Sequence, residues 1–212
     1  GIMADGLMLV HANAHHMAVT IETLPEAAQR IAKTGSEITA IKPEAEGIFT
    51  YTLRFTDPEL QTRYAFQPGQ FNMLYLPGYG EAAISMSSAA HEAGSVSHTI
   101  RFVGNVTRPV SRLKVGDVIG VRGPFGTAWP MKLLEGQDII IAAGGIGLAP
   151  LRPAIYQIMR ERGKYGKVFV VYGARTPGDR GARSPRHEAP RHRAGLRRAG
   201  DHARWCRLGS AA

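Results

Sequence analysis

DIIIAAGGIGLAPLRP, the sequence of Asp138–Pro153, has the pattern of a buried strand, a tight turn and a helix start. The β-branched run Ile139–Ala142 is typical of a parallel strand covered on both faces. The glycines of Gly144–Gly147 let the backbone turn sharply and approach a ligand closely, and Pro150 suits the first position of a helix. The free N–H groups at such a helix start can bind phosphate. A plain strand–turn–helix connection without a ligand has the same pattern, and both interpretations stand here.

The residues that follow complete one strand–helix–strand unit. Ala149–Arg162 has apolar residues at helical spacing, and Val168–Tyr172 is a second β-branched run. The connection between two such parallel strands is right-handed as a rule. A two-stranded parallel sheet cannot cover itself, so a stable nucleotide-binding domain needs further units. None is recognisable after Asp179, and residues 131–179 therefore predict the start of a truncated α/β domain.

The chain before Gly123 has the pattern of an all-β domain. Short strands are predicted at Glu37–Lys42, Ile48–Phe55, Phe71–Leu76, Ala83–Ser88, His98–Val103 and Asp117–Arg122. Gly, Pro, Asp and Asn separate them, and this number and spacing favour a small antiparallel barrel or sandwich. Thr107–Leu113 predicts a short helix packed on the end of the barrel. The expected fold is an antiparallel, six-stranded, Greek-key β barrel over residues 36–130, followed by the truncated α/β domain.

Both ends of the chain differ from this pattern. The apolar patch of residues 1–35 is too short for a signal-peptide core. We therefore interpret this segment as a poorly ordered leader with a helical turn at Pro25–Lys33. The leader histidines His11, His15 and His16 have no fixed geometry, so we interpret them as solvated side chains rather than metal ligands.

The positive charge of the 212-residue chain, +9 in total, is concentrated in residues 180–212. This segment has nine Arg, no Lys and two acidic residues, and it lacks Ile, Val, Phe, Tyr and Met. Too little apolar surface is available there to offset chain entropy. Three interpretations stand: a disordered tail, GC-rich coding sequence read out of frame, and an arginine-rich arm that binds nucleic acid.

The remaining composition excludes several kinds of site. Cys206 is the sole cysteine, which excludes an internal disulfide framework and a multi-cysteine zinc or iron–sulfur site. We therefore expect no metal within the chain, and low cysteine usage fits a reducing cytoplasm. No apolar run is long enough to span a bilayer.

Six segments, in this order, resemble the ferredoxin–NADP reductase superfamily, and most of all the flavin-binding gamma subunits of cytoplasmic nickel–iron hydrogenases and the related electron-transfer subunits of dihydroorotate dehydrogenase. The segments are PGQF (Pro68–Phe71), GEAAISMSS (Gly80–Ser88), IRFVGNVT (Ile100–Thr107), LKVGDVIGVRGPFG (Leu113–Gly126), AAGGIGLAPLRP (Ala142–Pro153) and VYGARTP (Val171–Pro177). The resemblance covers about residues 36–179 of the chain.

The resemblance implies a barrel that binds FAD, with FMN as the less favoured alternative, and a second domain that binds NAD(P)H. It implies hydride transfer between the nicotinamide and flavin N5, then electron transfer to iron–sulfur and hydrogenase-type partner subunits in the cytoplasm. A colourless scaffold with a nucleic-acid-binding tail is the alternative function. The truncated nucleotide domain could leave the chain inactive, and the choice between NAD and NADP is left open.

The resemblance also implies the site. Ser85 is the residue expected at flavin N5, where its hydroxyl can donate or accept a hydrogen bond. Ile84 stands in place of the usual aromatic residue and Ala82 in place of the usual arginine. Backbone N–H groups of Gly104–Thr107 are therefore expected to bind the flavin phosphates, and Arg101 and Arg108 are nearby candidates for the same role. The cofactor-binding residues implied are Ala82, Ala83, Ile84, Ser85, Met86, Ile100, Val103, Gly104, Val106, Thr107, Gly123, Gly126, Gly144, Gly145, Ile146, Gly147, Ala149, Pro150 and Arg175.

Overall fold

The structure is a computed structural model that describes residues 2–4, 8–13, 18–23, 35–173 and 203–208. Near the start of the chain, β1 (Ile2–Ala4), β2 (Met8–Asn13) and β3 (Ala18–Thr23) form an antiparallel sheet in the order β1-β2-β3. These strands lie in the segment that the sequence predicts to be a poorly ordered leader. The helical turn predicted at Pro25–Lys33 lies outside the described residues.

The largest sheet has six antiparallel strands, as the sequence predicts. They are β4 (Gly35–Ala45), β5 (Ile48–Phe55), β6 (Phe71–Leu76), β7 (Gly80–Ser85), β8 (Val96–Arg101) and β9 (Val118–Phe125). Hydrogen bonds join them in the order β7-β6-β9-β4-β5-β8. The predicted bounds of β5 and β6 are confirmed. β7 and β8 begin and end earlier in the chain than predicted.

The six-stranded sheet has the predicted antiparallel strands but is not closed into a full barrel, because the ladder does not continue between the edge strands β7 and β8. A single bridge, Met86 to His98, joins the two edges. At the other end of β7 the gap is occupied by α2 (Gly104–Val110), after a first short helix α1 (Pro58–Arg63). A Cγ atom of Val106 in α2 lies 3.7 Å from where a Cβ on Gly80 would be. The chain leaves β8 for this helix, so no strand is left to complete the ladder.

Alternation along the strands directs one face of the sheet into a core. In β6, for example, Asn72, Leu74 and Leu76 are buried while their neighbours are partly exposed. The most buried apolar members of this core are Ile38, Leu53, Met86, Val96 and Ile100. Asn72 is thus a polar residue at an inward-facing strand position.

The second part of the described chain contains the predicted strand–helix–strand unit. Strands β10 (Ile139–Gly144) and β11 (Val168–Gly173) are parallel and in register, and the connection between them includes α3 (Arg152–Arg160). A last strand, β12 (Ala203–Leu208), pairs antiparallel with β11 and lies in the segment predicted to be an irregular basic tail.

The helix start in this unit differs from the prediction. Gly145–Leu151 forms a 3₁₀ helix, and the α-helix begins at Arg152, with a proline near its first position. That proline is Pro153, whereas Pro150 lies inside the 3₁₀ turn. Proline suits a first helical turn because it lacks an N–H. Because Pro150 and Pro153 fit that position equally well, the sequence pattern does not decide at which of them the α-helix begins.

Gly123 is the tightest backbone position described between β6 and β9. A Cβ there would overlap the Oδ1 atom of Asn72, and it would lie 3.2 Å from the carbonyl oxygen of Phe71. Asn72 is fully buried, so it cannot move aside into solvent.

We expect Gly123→Ala to lower the free energy of unfolding by about 2–3 kcal/mol, the usual cost of inserting atoms into a packed interior. Chemical denaturation of the purified chain measures this change. Gly163→Ala is the matched control, because a Cβ there meets nothing within 4 Å. Equal stabilities of the two variants would contradict the predicted contact.

Candidate functional site

Ser85, the predicted N5 residue, is the last residue of β7 and is half-buried. Its hydroxyl makes no hydrogen bond to any described residue, whereas its carbonyl oxygen accepts one from Nδ1 of His98 at 3.1 Å. In the same strand Ala83 is exposed, Ala82 is half-buried, and Ile84 packs against the core. The end of β7 thus presents an unused hydroxyl beside small and apolar side chains.

A buried chain of hydrogen bonds lies behind this strand end. The Tyr64 hydroxyl donates to Oδ1 of Asn72 at 2.9 Å, and Nδ2 of Asn72 contacts Nε2 of His98 at 3.2 Å. Because the amide NH₂ can only donate, Nε2 of His98 accepts and Nδ1 carries the hydrogen that is donated to Ser85. Both Asn72 and His98 are fully buried.

Burial fixes the protonation of this chain near neutral pH. It lowers the pKa of His98 to about 4, although hydrogen bonds to the carbonyls of Ser85 and Ile84 act in the opposite direction. It raises the pKa of Tyr64 to about 12. A neutral imidazole and a neutral phenol are therefore the forms present at pH 7.

Two predicted cofactor residues have side chains inside the core. Met86 and Ile100 are each 1% exposed, so only their backbone groups could contact a ligand. The N–H of Met86 donates to the carbonyl of Gln70 at 3.3 Å. Their inward orientation has no separate signal in the sequence, because the resemblance extends over the whole of both segments.

The segment expected as a phosphate-binding loop forms the first turn of α2. Val103 precedes the helix and is 58% exposed, and Gly104 has a φ of 73°. The Thr107 hydroxyl accepts a hydrogen bond from the N–H of Val103 at 2.9 Å and donates one to its carbonyl. This hydroxyl is therefore used within the turn. The first N–H groups of a helix have no acceptor inside it, and here they belong to Gly104 and the two residues after it.

The glycine turn after β10 lies close to the end of β8. Nη2 of Arg101 is 3.9 Å from where a Cβ on Gly145 would be, and the Tyr172 hydroxyl donates to the carbonyl of Gly145 at 3.1 Å. Of the other predicted turn residues, Gly144 is exposed, Ile146, Gly147 and Pro150 are half-buried, and Ala149 is buried. The two predicted binding segments, separate in sequence, therefore meet at Arg101.

A buried ion pair, which sequence reasoning missed, joins the two regions. Nη1 of Arg152 lies 3.3 Å from Oε1 of Glu44, and the two side chains are 11% and 3% exposed. The Thr50 hydroxyl donates to the same carboxylate at 2.9 Å, and Thr50 and Thr99 hydroxyls are 2.8 Å apart. Burial acts to raise the pKa of Glu44, but the hydrogen bond from Thr50 and the charges of Arg152 and Lys42 outweigh it, so the pKa is lowered.

The other predicted glycines line the end of β9. Gly126, with a φ of 83°, would place a Cβ 2.9 Å from the ring of Phe71, and its carbonyl accepts a hydrogen bond from Nε2 of Gln70 at 3.1 Å. Arg175 lies outside the described residues. Among the residues that the structure describes, no group of three or more His, Cys, Asp or Glu could hold a metal ion, and no helix is long and apolar enough to cross a membrane.

Comparison with known proteins identifies homologues of part of this chain. The chain is 43% identical over 132 residues to the gamma subunit of sulfhydrogenase 1 from Pyrococcus furiosus, an alignment that covers 62% of this chain and 44% of that protein. It is 41% identical over 109 residues to a probable dihydroorotate dehydrogenase B electron transfer subunit from Archaeoglobus fulgidus, covering 51% of this chain and 41% of that protein. The chain thus spans less than half the length of these curated relatives. No family model matches it.

Solved structures of ferredoxin–NADP reductase-like proteins share the fold. A cytochrome P450 reductase from Amycolatopsis is 26% identical, with a TM-score of 0.58 over 68% of this chain and 44% of that chain. An NADH-dependent reduced ferredoxin–NADP oxidoreductase, described as a flavin-based electron-bifurcating enzyme, is 27% identical, with a TM-score of 0.57 over 69% of this chain and 51% of that chain. The resemblance found in the sequence is confirmed at the level of homologues and fold.

We expect Arg152→Met to lower the free energy of unfolding by about 3 kcal/mol, because it removes the buried cation of the pair and leaves the buried carboxylate of Glu44 with only the exposed Lys42 beside it. Arg54→Met is the matched control. It breaks the exposed pair with Glu37 and should cost less than about 1 kcal/mol. Urea denaturation at pH 7 measures both variants.

The pH dependence follows from the lowered pKa of Glu44 in the folded chain. Its contribution to stability is present above the unfolded pKa and is lost as the pH falls through the folded pKa. The difference between wild type and Arg152→Met should therefore be largest near neutral pH and shrink in acid. A difference that grows in acid would contradict this role of the pair.

Proposed function

We propose that this chain is a flavin-binding electron-transfer subunit that moves electrons between NAD(P)H and an iron–sulfur or hydrogenase-type partner. The observation that carries this proposal is the meeting of the two matched segments at Arg101 and Gly145. The named homologues, hydrogenase gamma subunits and dihydroorotate dehydrogenase electron transfer subunits, support the same reaction class. FAD is the proposed cofactor, because the reductase-like structures include one with bound FAD and NADP.

The residues at the end of β7 fit the reactive edge of a flavin. The half-buried Ser85 hydroxyl has no described partner, so a ligand atom can use it without breaking an existing bond. Ile84 offers an apolar side chain against the ring system, and the small Ala82 and Ala83 leave space beside it. When bound, the flavin supplies the chemistry of accepting a hydride at N5 and releasing single electrons.

Backbone groups and one cation are suited to the phosphates. The N–H groups from Gly104 to Val106, at the start of α2, have no acceptor within the helix, and such groups bind anions without a side-chain charge. The Arg101 guanidinium lies beside Gly145, with Nη2 3.9 Å from where a Cβ on that glycine would be, and it forms no ion pair with a described residue. Its positive charge can replace that of the usual arginine, whose position is occupied here by Ala82. The turn Gly144–Gly147 is the proposed site for the nucleotide diphosphate.

We expect the purified chain, supplied with excess FAD, to become yellow after desalting and to lose visible absorbance when NADH or NADPH is added anaerobically. The ratio of the two reduction rates then gives the preferred nucleotide. Folded chain, as judged by circular dichroism, that binds neither FAD nor FMN in excess would overturn the proposal. FAD that binds but is not reduced by NADH or NADPH would support the flavin site and contradict electron transfer from the nucleotide in this chain.

Ser85→Ala should slow flavin reduction by about tenfold, the equivalent of one hydrogen bond worth about 1.4 kcal/mol in the transition state. Ser85→Thr retains the hydroxyl and should restore most of the rate. Stopped-flow absorbance measures this step. Ser111→Ala is the control, because that hydroxyl donates to the carbonyl of Arg108 at the end of α2. An unchanged rate in Ser85→Ala would remove this residue from the proposed site.

A further inference from the structure

The alternation of the β6–β7 ladder directs the Ser85 carbonyl away from β6. The N–H of Met86 donates to the carbonyl of Gln70, so these two residues form a hydrogen-bonded pair of the antiparallel ladder. The adjacent pair, Ser85 and Phe71, is then a non-bonded pair, because the two kinds alternate. The backbone polar groups of Ser85 therefore point toward the β8 edge, where the sheet is joined only by the Met86–His98 bridge.

The hydrogen of His98 Nδ1 meets the Ser85 carbonyl at this edge. The orientation of the His98 ring is fixed on its opposite side, since Nδ2 of Asn72 donates to Nε2 of His98 and the Tyr64 hydroxyl donates to Asn72 Oδ1. Each polar atom in this chain has a partner, and both Asn72 and His98 are fully buried. Buried networks in which every member is satisfied hold one geometry.

We propose that His98 and Asn72 are positioning residues for Ser85: they hold the last peptide of β7 at the open edge of the sheet and thereby fix where the Ser85 hydroxyl meets its ligand. This proposal rests on the proposed flavin site. Neither residue touches the reacting atoms. They act through the backbone of Ser85, next to the bridge between Met86 and His98.

Among the described residues, no charged side chain shifts the pKa of His98 or of Tyr64. The groups that contact the His98 ring are the Asn72 side chain and the carbonyls of Ser85 and Ile84. The imidazole is neutral at pH 7 because burial lowers its pKa to about 4. The hydrogen bond from His98 Nδ1 to the Ser85 carbonyl therefore joins two neutral groups, and its strength should not change between pH 6 and pH 8.

The test compares variants that remove or keep the donor at this position. His98→Leu removes it, whereas His98→Asn places an amide NH₂ where Nδ1 lies and should keep the bond. Tyr64→Phe leaves His98 intact and removes only the far end of the chain, so it should fold and show a smaller effect in the same direction. His91→Leu changes an exposed loop histidine and is the matched control.

The first measurement needs no cofactor. Amide hydrogen exchange by NMR should show the Ser87 N–H, which donates to Ser97 beside the bridge, exchanging at least tenfold faster in His98→Leu than in wild type. The amide of Leu53, in the centre of the core, should change far less. His98→Asn and His91→Leu should retain wild-type protection at Ser87. Equal exchange in all variants would overturn the proposal.

The second measurement uses the FAD-loaded chain. His98→Leu should slow flavin reduction at least fivefold while the FAD dissociation constant and the KM for the nucleotide stay within twofold, and His98→Asn should restore the rate. A wild-type rate in His98→Leu, or a loss of FAD affinity without a change of rate, would overturn the proposal. If His98→Leu does not fold, wild-type exchange of the Ser87 amide together with a wild-type rate of flavin reduction in Tyr64→Phe would overturn the proposal. Absence of FAD binding in wild type, with the exchange result retained, would instead reject the proposed function.

Discussion

The ion pair between Glu44 and Arg152 is the interaction on which the candidate site depends. It joins residues 108 positions apart, one in the six-stranded sheet and one at the first position of α3. The 3₁₀ helix of the glycine turn ends immediately before Arg152, so fixing this arginine also fixes the turn beside β8. A buried pair of this kind stabilises a fold only when its remaining hydrogen-bonding capacity is satisfied, and the Thr50 hydroxyl supplies a further bond to the carboxylate.

The fold was predictable where local pattern alone determines structure. Alternation and β-branched runs gave β5, β6 and the parallel pair β10–β11, because side-chain period and burial are readable within one segment. That the six-stranded sheet stays open between β7 and β8 was not predictable, since this depends on how α2 packs against Gly80. The helix α1 was missed although its signal was present: Asp57 accepts hydrogen bonds from the N–H groups of Glu59 and Leu60, but Asp-Pro was interpreted as a turn.

The site divides in the same way. The position of Ser85 followed from the resemblance, but its supporting residues did not. Asn72 and His98 had a readable signal, because each is a polar residue at an inward position of an alternating strand and therefore needs buried partners. Glu44 and Arg152 had none, since neither segment has a pattern that would connect residues so far apart. Long-range polar contacts of this kind become visible only once the strands are placed.

The contact between Asn72 and Gly123 limits the order in which this protein can change over evolution. A side chain can appear at position 123 only after position 72 has become smaller, because both would occupy the same space. Asn72 itself bonds Tyr64 and His98, so its replacement removes the partner of His98 Nε2 and leaves the Tyr64 hydroxyl with only the weak acceptor Sδ of Met86. These four positions should therefore be inherited together, and a lineage that departs from one of them should carry compensating differences at the other three.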